Sequence, residues 1–314
     1  MTDKILISGY SGFVGQNLAR HLAPRYNLAG ISHKNRSTSV LQHVYSWDSL
    51  SISDLSGTNC ILHLAGKAHD TKNVSAKEEY FKINTELTKT LFDLFLKSDA
   101  TTFIYFSSVK AVADSVDGIL NESCAPNPKT PYGQSKLKAE EYLLAQRLPS
   151  GKRLFIIRPC MIHGPLNKGN LNLLYKVVKK GIPYPLGAFE NKRSLLSISN
   201  LNFIIEKLVG DAMIPGGIYN VADDRPLSTN EIIDVIAKTS GLKTRIWNLN
   251  KKVIEFAASA GDKLHLPLNS ERLKKLTESY VVSNDKVKKA LRINDLPVPS
   301  AEGLEITIKS FLTQ

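Results

Sequence analysis

The chain has 314 residues, 42% of them apolar and 22% charged, a balance that excludes a disordered or fibrous protein and allows one large core or two lobes sharing a cleft. Its formal charge of +12 is spread over pairs such as Lys179-Lys180, Lys251-Lys252, Lys274-Lys275 and Lys288-Lys289, with no basic run interleaved with aromatics, so polyanionic small molecules are expected and nucleic acid is not. The apolar start Ile5-Leu6-Ile7 is too short for a signal peptide or membrane span, and Cys60, Cys124 and Cys160 form no C-x-x-C pair; a cytoplasmic protein with reduced thiols and no metal is expected.

In chain order, short apolar runs alternate with helical patterns, the signature of a parallel sheet with crossover helices. Lys4-Ser8 reads as a strand, Phe13-Ala23 as a helix ending near Pro24, and Leu28-Ser32 as a second strand. Asn59-Leu64 is a buried strand, followed by a long helix over Ala76-Lys97 with Tyr80, Ile83, Leu87, Leu91 and Leu94 at helical spacing. Phe103-Phe106 is another strand, Pro126 to Pro131 a loop, and Tyr132-Arg147 a helix capped by Thr130 with Pro131 in its first turn. After the strand Leu154-Ile157 and Arg158-Pro159 the segments shorten and prolines and glycines become frequent. The expected fold is a doubly wound parallel Rossmann sheet over residues 1–165, with a smaller C-terminal α/β substrate lobe over 166–314, some segments of which return to the first domain. A final amphipathic helix over Ala301-Leu312 closes the lobe.

Gly9-Tyr10-Ser11-Gly12-Phe13-Val14-Gly15 joins the first strand to the first helix. Glycines there let the backbone turn tightly and approach a pyrophosphate seated on the helix N-terminus, so Gly9, Ser11, Gly12, Phe13, Val14 and Gly15 are expected to hold a dinucleotide. The end of the second strand decides between NAD and NADP. It carries Ser32-His33-Lys34-Asn35-Arg36 and no carboxylate to bind ribose hydroxyls. Ser32, His33, Lys34 and Arg36 suit a 2′-phosphate, so NADP(H) is favoured, with NAD(H) the alternative.

Tyr132 and Lys136 stand four apart on one helix face. A phenol working near neutral pH needs its pKa lowered, and the Lys136 ammonium together with an oxidised nicotinamide would favour the phenolate. Ser107 and Ser108 follow a buried strand at the edge where such sheets bind ligands.

The loop spacing G-x-x-G-x-x-G, His63-Leu64-Ala65-Gly66, Asn84, Ser107-Ser108, Tyr132-x-x-x-Lys136, Arg158-Pro159, His163-Gly164-Pro165 and Arg193-Ser194-Leu195 occur in the order found in the extended short-chain dehydrogenase/reductases. Over nearly its whole length the chain resembles that family of nucleotide-sugar epimerases, dehydratases and reductases. The resemblance implies Ser108, Tyr132 and Lys136 as the catalytic set, with Lys136 also on the nicotinamide ribose. It puts Asp48 at the adenine, Leu64, Ala65, Gly66, Ser107 and Pro159 along the cofactor, and Asn84 in a structural role. Toward substrate it implies Arg193 on the nucleotide diphosphate, Asn170 within the pocket segment Asn167-Leu174, and Lys67 or His69 near the sugar; Arg272 lies a turn from where a second phosphate-binding arginine belongs. His63 and His163 are expected to pack.

Departures narrow the activity. The 4,6-dehydratases of the family carry an Asp-Glu pair after the catalytic hydroxyl, where this chain has Val109 and Lys110. The 3,5-epimerising members use a cysteine there, and this chain has none at that place. Met161 replaces the substrate-binding Asn of many 4-epimerases. The expected enzyme is an NADP(H)-dependent reductase of a UDP-4-keto-6-deoxy-N-acetylhexosamine, serving surface polysaccharide precursor synthesis. The alternative is a UDP-sugar 4-epimerase with bound NAD, and a homodimer is expected in either case.

Overall fold

The structure, a computed structural model, describes residues 3–33, 38–67, 76–167, 169–264 and 269–313. The first half runs β1 (Lys4–Ser8), α1 (Phe13–Leu22), β2 (Asn27–Ser32), β3 (His43–Ser46), β4 (Thr58–His63), α2 (Lys77–Phe81), α3 (Leu87–Lys97), β5 (Thr102–Phe106), β6 (Ile119–Leu120) and α4 (Pro131–Ala145). The second runs β7 (Arg153–Pro159), β8 (Met161–His163), α5 (Asn170–Lys179), β9 (Leu195–Ser197), α6 (Ile198–Gly210), β10 (Gly217–Val221), α7 (Thr229–Thr239), α8 (Lys251–Leu264), α9 (Ser270–Thr277), β11 (Val281–Val282), α10 (Asp285–Leu291) and α11 (Ser300–Leu312).

Seven strands form one parallel sheet in the order β10-β7-β5-β4-β1-β2-β3. Both faces are covered, so its central strands are apolar at nearly every position. Along β1 the side chains alternate: Ile5 and Ile7 join a core with Leu18 and Leu22 of α1 and Leu201, Ile204 and Leu208 of α6, while Leu6 joins the opposite core of Phe92 and Phe95 of α3 and Leu143 of α4. The sheet is thus sandwiched between α1 and α6 on one side and α3 and α4 on the other.

The long helix expected over Ala76-Lys97 is present from Lys77 to Lys97 but is not α-helical throughout. Between α2 and α3, Lys82–Glu86 forms a π-helical turn with Asn84 and Thr85 buried in it. Such a turn rotates the following residues without ending the rod. Strand β10, far along the chain, completes the edge of the main sheet beside β7. Helix α10 also returns to the main core through Val287 and Leu291, whereas α5, α7 and α11 form a lobe core that includes Leu171, Tyr175, Ile233, Ile236, Leu304 and Phe311. Small parallel pairs, β8 with β9 and β6 with β11, tie this lobe to the sheet.

Candidate active site

Strand order reverses between β1 and β4, and crossovers leave in opposite directions there, opening a crevice beyond the strand ends. The glycine loop fills one wall. Gly9 has φ +71, and a Cβ on it would lie 2.6 Å from the Ala65 nitrogen. A Cβ on Gly15 would lie 2.4 Å from the Gly9 carbonyl oxygen, so neither position admits a side chain. Gly12 caps α1 and supplies no side chain to its first turn, which also contains no acidic residue. The first N–H groups therefore face outward, as a pyrophosphate cradle requires. Ser11 and Gly12 are exposed and Phe13 and Val14 half-buried around that cradle. The opposite wall is the Leu64-Ala65-Gly66 segment, and a Cβ on Gly66 would sit 3.1 Å from Lys136 Nζ. These residues fit a dinucleotide running from the glycine loop toward Lys136.

At the β2 edge, His33 Nδ1 lies 3.4 Å from the Asp48 carboxylate, and both side chains are well exposed. The residue expected at the adenine thus stands beside one expected at a 2′-phosphate. Ser32 ends β2, half-buried. Lys34 and Arg36 lie outside the described residues.

The three residues expected to be catalytic lie together. Ser108 ends the β5 segment and caps a short 3₁₀ turn, Val109–Ala111, its Oγ accepting from Lys110 N at 3.2 Å. A Cβ on Gly133 would fall 2.3 Å from the Lys110 carbonyl oxygen, so glycine lets the start of α4 close onto this turn. That approach brings Tyr132 into hydrogen bonding with the Ser108 side chain. Gly133 is a positioning residue that the sequence reading missed; its place beside Tyr132 was the available signal. Thr130 caps α4 as expected, accepting from Gly133 N at 3.3 Å. Lys136 is buried, 5% exposed; its Nζ donates to Phe106 O at 2.8 Å and lies 5.0 Å over the Tyr105 ring.

The electrostatics of the set follow from burial. The Tyr132 pKa is raised, because enclosure of the hydroxyl outweighs the hydrogen bond from Ser108. Lys136 is lowered to about 8 by burial, against the pull of Glu140. A phenol raised above its ordinary value is protonated near neutral pH, the form that can donate a proton.

Beneath the set lies a buried ion pair. Glu140, one turn beyond Lys136, accepts from Arg158 Nε at 3.0 and 3.2 Å and from the Ser107 hydroxyl. Glu140 is 1% and Arg158 3% exposed. The Ser107 hydroxyl is committed to this pair, and its N–H donates to Ile157 O at 2.8 Å. Pro159 ends β7 on the same side, buried.

Asn84 organises the wall of the crevice. Its Oδ1 accepts from Lys67 N at 2.7 Å, and its Nδ2 donates to Lys67 O at 3.2 Å and Ser135 Oγ at 2.9 Å. The π turn presents this side chain between the β4 loop and α4. Behind it Thr88 donates its single proton to Asn84 O at 2.7 Å, so it accepts from His63 Nε2 at 2.9 Å. His63 Nδ1 then accepts from Ser8, 2.6 Å away, and Ser8 accepts from Ala65 N at 3.1 Å. His63 packs, as expected, and burial with the nearby Lys136 charge lowers its pKa to about 3. The unfolded chain takes up this proton near pH 6.5 and the native one does not, so stability falls as pH drops below that value. Thermal melts should show a loss of about 2–3 kcal/mol from this group between pH 7 and 4.5, and His63→Gln should flatten that slope.

The residues expected at substrate are more spread. Lys67 Nζ is 2.6 Å from Glu79 Oε1 and 5.7 Å from the Tyr80 ring centre, and Tyr80 packs edge-on to Tyr132 with centroids 6.3 Å apart. His69 lies outside the described residues. Asn170 opens α5, exposed, just past Leu166, whose φ of +72 marks a strained turn. Arg193 is half-buried; its Nη2 donates to Lys275 O, and its buried Nε meets no acceptor among the described residues. Arg272 is exposed on α9, one helix removed. Between Arg193 and Ser108 stands Tyr280, which pairs with Arg193 through the backbone and donates its hydroxyl to Ala113 O at 2.7 Å. His163 is buried against Thr307 Oγ1 at 2.8 Å, pinning β8 to α11.

A glycine cradle at the switch point of a parallel sheet, with serine, tyrosine and lysine gathered at the next strand end, defines an NAD(P)-dependent enzyme of the oxidoreductase type. More narrowly, the chain belongs to the NAD dependent epimerase/dehydratase family, whose profile matches residues 5–222. It is 31% identical over 248 residues to a UDP-glucose 4-epimerase of Vibrio cholerae, covering 76% of each chain. It is 27% identical over 304 residues to the N-acetyl-alpha-D-glucosaminyl-diphospho-ditrans,octacis-undecaprenol 4-epimerase of Escherichia coli O157:H7, covering 92% of this chain and 86% of that one. A GDP-6-deoxy-D-mannose reductase of Pseudomonas aeruginosa is 25% identical over 262 residues, 78% of this chain and 83% of its own. The fold matches MoeE5 in complex with UDP-glucuronic acid and NAD (TM-score 0.76, 18% identity, 99% of each chain). It also matches the UDP-glucuronic acid 4-epimerase of Bacillus cereus in complex with NAD (0.74, 20%, 99% of each chain).

Proposed function

We propose that the chain reduces the 4-keto group of a UDP-4-keto-6-deoxy-N-acetylhexosamine with NADPH, giving an N-acetylquinovosamine- or fucosamine-type precursor for surface polysaccharide. The observation that carries this reading is the second strand's edge, which runs from Ser32 through Lys34 to Arg36 without a carboxylate. A reductase must draw reduced cofactor from solution and gains from selecting the 2′-phosphate, whereas an epimerase recycles one bound cofactor. The two positions after Ser108 hold no acid for dehydration: Val109 is buried, and the Lys110 ammonium donates to Asp114 O at 2.7 Å and covers the Tyr280 ring at 4.2 Å.

The glycine loop and Lys136 would hold a nicotinamide cofactor, which would supply the hydride for the sugar carbon. Ser108 holds the reacting oxygen by hydrogen bond, and Tyr132 gives that oxygen its phenolic proton. The raised pKa of the phenol suits a donor, and Lys136 offsets the phenolate left behind. Arg193 is assigned to the diphosphate, for which its unmatched Nε is free to act. Lys67, Asn170, Arg272 and His69 are assigned to the rest of the substrate.

The second reading is a 4-epimerase, favoured by the Vibrio cholerae and Escherichia coli relatives and by Asp48 standing beside His33. In that enzyme Tyr132 would first remove the proton and then return it. The Escherichia coli relative's name puts its sugar on undecaprenyl diphosphate, a carrier whose diphosphate presents the same charges as UDP. Cofactor titration separates the readings. The reductase binds NADPH at least about tenfold more tightly than NADH, as one bidentate phosphate contact provides, and consumes it with the 4-keto sugar. Stoichiometric NAD that survives purification and resists NADPH, with interconversion of UDP-N-acetylhexosamine epimers, would overturn it.

A further inference from the structure

The C-terminal lobe carries an apolar face on its outside. Helix α8 buries Ile254 and Ala258, one turn apart, against Leu186 and Leu273. Its opposite side should be polar in a globular protein. Instead Val253 is 61% and Phe256 77% exposed, at i, i+3 spacing, and Trp247 just upstream is 55% exposed. Isolated apolar side chains on a surface mean little, but several adjoining ones, rimmed by charge of one sign, mark an interaction site.

The charge around them is mostly positive, although Asp234 accepts from Thr244 Oγ1 at 2.7 Å. Residues 242–257 contain Lys243, Arg245, Lys251 and Lys252 against the single acid Glu255. The Trp247 strand is anchored, since Tyr184 N donates to Arg245 O at 2.9 Å and Trp247 N to Tyr184 O at 2.8 Å. Arg245 itself reaches Gly181 O at 3.1 Å, at the end of α5, a helix whose outer residues include further lysines and no acid. The face is therefore a fixed part of the lobe, cationic at its rim and apolar at its centre.

We propose that this face docks on an anionic lipid surface, Phe256, Val253 and Trp247 entering the boundary between headgroups and acyl chains while the flanking lysines and Arg245 meet lipid phosphates. Tryptophan and long basic side chains each favour that boundary. Charge complementarity selects this occupant. A second copy applied to the same face would set like charges against one another, and a nucleic acid would leave the apolar centre unused. The attachment is peripheral, because among the described residues no helix is long and apolar enough to cross a membrane. Helix α8 packs through Ile254 on Leu273 of α9, and Arg193 donates to Lys275 O on that same helix, so docking would hold the substrate lobe at the membrane. The proposal stands apart from the choice between reductase and epimerase.

Vesicle co-sedimentation of the full chain tests it, comparing phosphatidylcholine alone with phosphatidylcholine containing one third phosphatidylglycerol. The protein should bind the anionic vesicles, bind phosphatidylcholine weakly, and dissociate in high salt. The doubles V253E/F256E and K251E/K252E should each lower the partition about tenfold or more, with melting temperature and cofactor binding preserved. Should either variant fail to fold, the wild-type protein still decides, since Trp247 emission shifts to the blue on anionic vesicles if it enters the boundary. Absence of binding with no shift overturns the proposal. So does equal binding by V253E/F256E, or a wild-type dimer that V253E/F256E dissolves without any vesicle binding.

Discussion

Tyr132→Phe lowers kcat about a hundred- to ten-thousandfold, the usual contribution of a positioned proton donor, while cofactor affinity and melting temperature stay nearly unchanged. The ring is retained, so its edge-on packing against Tyr80 survives. What disappears is the hydroxyl that Ser108 hydrogen-bonds, and with it the proton destined for the sugar oxygen. Single-turnover measurement with saturating cofactor reads the effect directly, and unchanged turnover would remove Tyr132 from the mechanism. A parallel effect follows from pH. Lys136 is an ammonium below about 8 and loses its proton above, so support for the developing phenolate fades as pH rises through that value. The rate should fall on that limb, and Tyr132→Phe should lack it.

Arg158→Met destabilises the fold by about 3–5 kcal/mol, because it strands the Glu140 carboxylate inside the protein. With Arg158 3% and Glu140 1% exposed, water cannot take over the lost hydrogen bonds. Melting temperature should drop by about 5–10 °C. Arg158→Lys should rescue little, since a lysine cannot span both carboxylate oxygens. The double substitution Arg158→Met with Glu140→Leu should recover much of the loss, because both charges leave together. If Arg158→Met costs no more than an exposed ion pair, roughly 1 kcal/mol or less, the pair does not hold α4 to β7. Because Ser107, bonded to Glu140, precedes Ser108, the same substitution should also lower kcat with little change in KM.

Much of this was legible in the sequence because it rests on local chemistry. The strand–glycine–helix order placed the glycine loop at the end of β1 and the start of α1, and the four-residue spacing of Tyr132 and Lys136 set both on one face of α4. That spacing also held more than was taken from it. Glu140 continues the same face by one turn, and Arg158 directly follows the apolar run Leu154-Ile157, two signs of a buried charge pair. The π turn at Lys82–Glu86 was hidden, because one extra residue in a turn barely alters the apolar spacing on which a helix is recognised. The strands β6, β8, β9 and β11 are two or three residues long and are defined by partners distant in the chain, so no local period announces them. The burial that raises the Tyr132 pKa was hidden for a related reason. Desolvation of the hydroxyl depends on what folds over it, and no spacing along the helix conveys that.

Everything proposed for the site rests on hydride passing between a nicotinamide and a sugar carbon with Tyr132 supplying the proton. The direct measurement offers NADPH deuterated at the transferable position together with the UDP-4-keto-6-deoxy-N-acetylhexosamine, and locates the label by mass spectrometry and NMR. Deuterium at C4 of the product, formed by the wild type and not by Tyr132→Phe at a comparable rate, is the predicted result. Product without deuterium at C4, or label transferred equally well by the Tyr132→Phe protein, would contradict it.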